Sequence, residues 1–157
     1  CCCWESGVTF VVREIQKEDK AGWLVLWQGY QSFYGVTLPV EVSETTWRRL
    51  SESHEPVHAH VALDADRIVG IVHYLFHRST WMIDETCYLQ DVFVTATARG
   101  RGIARALINS VYAEADRRGG RQVYWLTHQS NLTARSLYDQ IAVNAGFVLY
   151  ERIAETN

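Results

Sequence analysis

The sequence predicts an α/β domain: a mixed, mostly antiparallel central sheet with helices on both faces, in the order βααβββαβαβ. Three observations lead there. Two helix-periodic stretches follow a first β-branched run, three apolar runs separated by turn residues come next, and a glycine-rich turn then opens a strand–helix–strand succession.

Residues 8–15 (VTFVVREI) are rich in β-branched side chains and read as the first strand. Glu18 and Asp19 supply acidic charge at the start of a helix over residues 20–34, in which Trp23, Leu26, Trp27, Tyr30, Phe33 and Tyr34 recur at helical spacing. Gly35 and Pro39 break that element. A short second helix then opens at Ser43, a candidate N-cap, and runs through Leu50.

Residues 57–63 and 68–76, joined through Asp64-Ala65-Asp66, read as an antiparallel hairpin, with residues 82–95 as a third neighbouring strand. From Gly102 onward, Ile103, Leu107, Val111 and Ala115 form an i, i+4 ladder until Gly119-Gly120 stops it. Residues 122–127 (QVYWLT) are a strand. Asn131 caps a helix running to about Asn144, Gly146 ends it, and residues 147–153 make a last strand.

At 157 residues and 48% hydrophobic content the chain suits one core. Residues 8–157 are therefore expected to form a single domain, preceded by a disordered end over residues 1–7. Fifteen basic against eighteen acidic residues, a net charge of -3, argue against a nucleic-acid partner, which selects for a basic excess. No apolar run is long enough for a membrane span and no secretory pattern is present, so a cytoplasmic protein without a membrane partner is expected. Cys1, Cys2 and Cys3 are adjacent and only Cys87 lies within the patterned chain, which is no disulfide framework.

The stretch Arg99-Gly100-Arg101-Gly102-Ile103-Ala104-Arg105 places two glycines between arginines at the mouth of a helix. Outward-pointing amides at a helix N-terminus, with glycines letting the backbone curl, make an anion site. A dinucleotide fingerprint would need a small residue where Arg105 stands, and a phosphate loop would need Gly-Lys-Ser/Thr. An acyl-CoA pyrophosphate cradle is the third reading.

On these residues the chain resembles the GNAT superfamily of acyl-CoA N-acyltransferases, whose Gln/Arg-x-x-Gly-x-Gly/Ala signature is matched by Arg99 to Ala104. Asn131-Leu132-Thr133-Ala134-Arg135-Ser136-Leu137-Tyr138 resembles the family's second cofactor segment. Tyr88-Leu89-Gln90-Asp91-Val92-Phe93-Val94 is similar to the spermidine/spermine and histone/polyamine-type enzymes.

The resemblance implies acetyl-CoA as co-substrate, with the backbone of Val92, Phe93 and Val94 pairing with the pantetheine arm. The amides of Gly100, Arg101, Gly102, Ile103, Ala104 and Arg105, with Arg99 beside them, would hold the pyrophosphate. Asn131 and Ala134 would line the arm, and Tyr138 would stand beside the thioester sulfur. It further implies a small-molecule amine, polyamines foremost, as acceptor, and a homodimer as assembly.

An alkyl ammonium, pKa about 10.4, must lose a proton before it attacks a thioester, and the leaving thiolate must gain one. Tyr138 is the candidate acid. Polyamine-type relatives carry Glu where this chain has Gln90, and an amide accepts no proton as a carboxylate does. Asp91 is the alternative base, yet strand alternation puts it on the face opposite Gln90 unless a bulge intervenes.

Gln90 would then bind substrate or orient water. Trp27, Tyr30 and Tyr34 form a stripe that either packs the core or holds an ammonium group by cation–π attraction. Cys87 is expected to be a packed thiol. The six histidines include a His58-x-His60 pair but no third placed ligand, so no metal is expected. Protein-lysine or antibiotic acetylation, and a non-catalytic acyl-CoA-binding module, are the alternatives.

Overall fold

The computed structural model describes residues 9–154. The expected disordered end, residues 1–7, lies outside them. The chain divides into two compact units, Cys1–Leu126 and Thr127–Asn157.

In the first unit five strands lie side by side in chain order: β1 Phe10–Glu14, β2 Val57–Asp64, β3 Arg67–His77, β4 Thr86–Val94 and β5 Val123–Tyr124. β1 to β4 pair antiparallel and β5 joins β4 in parallel. With helices α1 (Lys20–Phe33), α2 (Val40–Ser51) and α3 (Ile103–Arg117), this is the mixed, mostly antiparallel α/β arrangement that the sequence predicts.

Alternation along the strands sorts side chains onto two faces. Ala59, Val61 and Ile71 pack with Trp23, Leu26 and Trp27 of α1 and Leu50 of α2. On the other face Ala62 and Gly70 meet α3. A Cβ on Gly70 would lie 2.9 Å from Leu107 and 3.0 Å from Ile103, so the missing side chain is what lets the helix approach. The whole apolar ladder of α3, Ile103, Leu107, Ile108, Val111 and Ala115, is buried, and each large member contributes roughly 1.5–3 kcal/mol.

Three elements of this unit differ in extent from their sequence-based expectation. α2 begins at Val40 with Pro39 as its N-cap, because a helix's first residues need no i−4 partner and proline's fixed φ fits there. Ser43 therefore sits inside α2, where its hydroxyl accepts from Trp27 Nε1 at 3.1 Å. β4 starts at Thr86 and not at residue 82, since residues 82–85 are irregular, with Ile83 fully exposed. β5 is two residues long and not six.

In the second unit α4, Leu132–Ile141, is capped by Asn131, whose side-chain oxygen accepts from the Ala134 amide at 3.3 Å. It ends before Asn144, with Ala142 extended. No strand forms over residues 147–153, and Phe147, Val148, Leu149, Tyr150 and Ile153 are exposed. Their composition suits a pleated surface, but strand propensity is a statement about fit to neighbours, and here no ladder runs along the segment. Among the described residues no helix is long and apolar enough to cross a membrane.

Candidate active site

The β3–β4 ladder carries the main feature. Its register runs from Gly70↔Val94 to His73↔Asp91 and then shifts, so that Tyr74 faces Leu89 and Gln90 has no cross-strand partner. One extra residue in β4 is a β-bulge, and it reverses the facing of everything beyond it. Unbroken alternation would leave Asp91 on the face of Cys87 and Leu89. The bulge turns it to the α1 face with His73, while Gln90 is exposed.

A buried chain of hydrogen bonds converges on the Asp91 carboxylate. Trp23 Nε1 donates to His73 Nε2 at 2.9 Å, and His73 Nδ1 lies 3.0 Å from Asp91 Oδ2. Tyr30 stands beside the Asp91 carboxylate and Tyr34. Burial first, and the neighbouring Asp91 charge second, hold the Tyr30 hydroxyl well above the usual phenol range, so it serves as a donor.

The aromatic stripe of α1 divides accordingly. Trp27 is core, stacked on Trp23 with ring centroids 5.9 Å apart. Tyr30 is half-buried beside Asp91 and meets the Phe93 ring at 6.0 Å. Tyr34 is exposed, 5.0 Å edge-on to Tyr30. Arg99 completes this rim: its Nε donates to Val94 O at 3.0 Å, and its guanidinium lies 5.7 Å from the Phe93 ring and 5.8 Å from that of Phe33.

β5 pairs with β4 only at Cys87↔Val123 and Tyr88↔Tyr124. Among the described residues no strand pairs with Val92, Phe93 and Val94 on that side. They form an open edge that an extended chain of amides can join by main-chain hydrogen bonds.

Past that edge, a short 3-10 turn over Ala96–Ala98 leads to Gly100 (φ 76) and Gly102 (φ 80), the latter capping α3. A Cβ on either would meet nothing within 4 Å, so backbone conformation rather than crowding requires glycine, and the space over the turn is open. The first helical bond runs from Ala106 N to Gly102 O at 3.0 Å. The amides of Ile103 and Ala104 precede it at the positive end of the helix dipole, a geometry that accepts an anion and fits a pyrophosphate. Arg101 is directed elsewhere, to Asp64 at 2.7 Å and Thr9 at 2.5 Å, tying the turn to the β2–β3 corner.

Within the second unit, Asn131, Ala134 and Tyr138 share the first two turns of α4. Asn131 is engaged in capping and Tyr138 is half-buried. Cys87 is a packed thiol, its pKa pushed up to about 12 by burial. The His58-x-His60 pair is occupied by neighbours: His60 bonds Ser110 at 2.7 Å and Tyr74 at 2.9 Å, and His58 lies 3.4 Å from Arg118. Among the described residues, Glu52, His54 and Glu55 approach one another as metal ligands would, on the α2–β2 connection.

Sequence reasoning missed His73 and Trp23 as members of the site. A single histidine in the otherwise apolar run IVGIVHYLF was the available signal, because a buried imidazole needs two partners.

The fold is that of an acyl-group transferase. The chain belongs to the acetyltransferase (GNAT) family, whose model matches residues 6–142. It is 37% identical over 144 residues to the D-amino-acid N-acetyltransferase HPA3 of Saccharomyces cerevisiae, covering 90% of this chain and 89% of the relative. An uncharacterized N-acetyltransferase of Bacillus subtilis, YhfO, is 26% identical over 141 residues, 88% and 94% of the two chains. The structure of AAC(6')-Iy in complex with a bisubstrate analog, CoA-S-monomethyl-acetylneamine, matches with a TM-score of 0.80 at 15% identity, over 92% of this chain and 98% of that one. That likeness is one of fold.

Proposed function

We propose that this acetyltransferase moves the acetyl group of acetyl-CoA to the primary amine of a small molecule, with Asp91 as base and Tyr138 as acid. The observation that carries the proposal is the bulge at Gln90, which turns the Asp91 carboxylate to the α1 face directly ahead of the open edge at Val92, Phe93 and Val94. A thioester arm lying along that edge, with its pyrophosphate at Gly100 to Arg105, would bring its carbonyl toward the carboxylate.

The ammonium gives one proton to the Asp91 carboxylate, directly or through water, and the free amine attacks the thioester carbonyl carbon. Asp91 passes its proton to solvent, takes the second nitrogen proton of the tetrahedral intermediate and later releases that to solvent as well, and the intermediate collapses. The C–S bond breaks, the thiolate takes the Tyr138 hydroxyl proton, and solvent restores it. The Asn-x-x-Ala-x-x-x-Tyr spacing of Asn131, Ala134 and Tyr138 supports the role of Tyr138. Asn131 and Ala134 would border the arm and Gln90, exposed on the bulge, would contact the acceptor.

For the acceptor, the yeast relative's action on D-amino acids supports an amino-acid α-amine. Arg99 beside Phe33 and Phe93 adds a cation to the rim that Tyr30 shares with Asp91. It suits an acceptor bearing a carboxylate and works against a polycation. A polyamine is the second reading, resting on the likeness of Tyr88 to Val94 to the polyamine-type enzymes.

Thiol release from acetyl-CoA tests this with D-leucine, L-leucine, spermidine, an aminoglycoside and a lysine peptide. Turnover of D-leucine well above spermidine is expected, with kcat reduced about 10²-fold or more in Tyr138→Phe. Turnover of spermidine alone would make the polyamine reading correct. CoA binding without turnover of any amine would identify a non-catalytic binding module.

A further inference from the structure

We infer that His73 is a positioning residue of the reaction: Trp23 fixes its tautomer, and the fixed Nδ1–H aims the Asp91 carboxylate at the acceptor amine. The inference rests on the reading of Asp91 as base and adds two residues to it.

An indole N–H can only donate. Since Trp23 Nε1 sits 2.9 Å from His73 Nε2, that ring nitrogen must accept, and the imidazole proton is on Nδ1. Nδ1 then donates to Asp91 Oδ2 at 3.0 Å. The imidazole is 3% exposed and Trp23 fully buried, so no solvent competes for either bond.

Trp23 is itself immobilised. Its ring stacks on Trp27 and lies 5.2 Å from that of Trp47 in α2. Both helices on this face of the sheet thus determine which nitrogen of His73 carries the proton.

The same arrangement limits what His73 can do. A second proton on Nε2 would set two N–H groups head to head in the core, so the proton taken from the amine stays on Asp91. The roles are the reverse of a Ser-His-Asp triad, in which the carboxylate orients the imidazole. Here the imidazole orients the carboxylate. Tyr30 stands beside the same carboxylate on the α1 side.

Two near-isosteric substitutions separate this role from a structural one. His73→Asn keeps an N–H donor near the position of Nδ1 and gives up the acceptor for Trp23. His73→Gln keeps an acceptor near Nε2 and gives up the donor to Asp91. With acetyl-CoA and D-leucine, or spermidine if that is the amine turned over, His73→Asn should hold kcat within about threefold of wild type. His73→Gln should lose about tenfold or more with CoA affinity unchanged, since small misplacements of a reacting group cost that much.

The opposite order would overturn the inference and make His73 a partner of Trp23 only. So would equal retention, or equal loss together with lowered melting temperatures. If wild-type protein acetylates no amine, the base reading fails, and 15N NMR of the histidine ring then tests the remainder. A protonated Nδ1 that shifts in Asp91→Asn is expected, whereas a proton on Nε2 would overturn it.

Discussion

Tyr30 of α1 stands beside the carboxylate of Asp91 in β4, where the first helix meets the bulged strand. Burial keeps the Tyr30 hydroxyl protonated, and Asp91, half-buried, lies 3.0 Å from His73 Nδ1 through its Oδ2. Asp91→Asn preserves the shape but removes the ability to accept a proton. It should lower kcat by about 10²- to 10⁴-fold, the usual contribution of a general base. CoA affinity, measured by calorimetry, should stay within about twofold because the cradle at Gly100 and Gly102 is untouched. An unchanged kcat would remove Asp91 from the chemistry.

Gly102→Ala forces a left-handed φ of 80 on a residue with a Cβ, at a cost of roughly 1–2 kcal/mol. The Cβ meets no protein atom, so any extra effect comes from what occupies the space over the turn. Gly119→Ala, with φ 75 and equally open space at the far end of α3, carries the same strain without the cradle. Both variants should melt at similarly lowered temperatures. Only Gly102→Ala should raise KM for acetyl-CoA, by about tenfold.

Stability should fall on mild acidification. Burial depresses the pKa values of His58 and His60 below 6.5, with the Arg118 charge adding to the effect at His58. Below that pH the unfolded chain binds protons that the folded protein resists, so the stabilisation is present above 6.5 and is lost as pH falls toward the folded values. The melting temperature should drop between about pH 7 and about pH 5. His60→Gln should flatten that slope, and a slope unaltered by the substitution would assign it to other groups.

Much of the fold is legible because its signals are local. The i, i+4 ladder from Ile103 to Ala115 is buried along its length, and the hairpin turn at Asp64 to Arg67 falls between directly paired residues. Pro39 misled because the same fixed φ that stops a helix also starts one. The final run, Phe147 to Ile153, misled because strand composition describes a side chain's fit to a neighbouring strand and does not supply one.

By itself the sequence determined the family, the glycine turn at the mouth of α3 and the chemistry that an amine acetylation demands. Each depends on residue identity at short spacing, where φ at Gly100 and Gly102 and an exposed helix end follow from local sterics. Only the tertiary structure decided which carboxylate meets α1. Alternation along β4 assigns Asp91 to the wrong face, and the correction comes from a register shift against β3 at Gln90. That shift, and the packing of Trp23 on His73, arise from contacts between strands and helices far apart in the chain, where no periodicity of one segment records them.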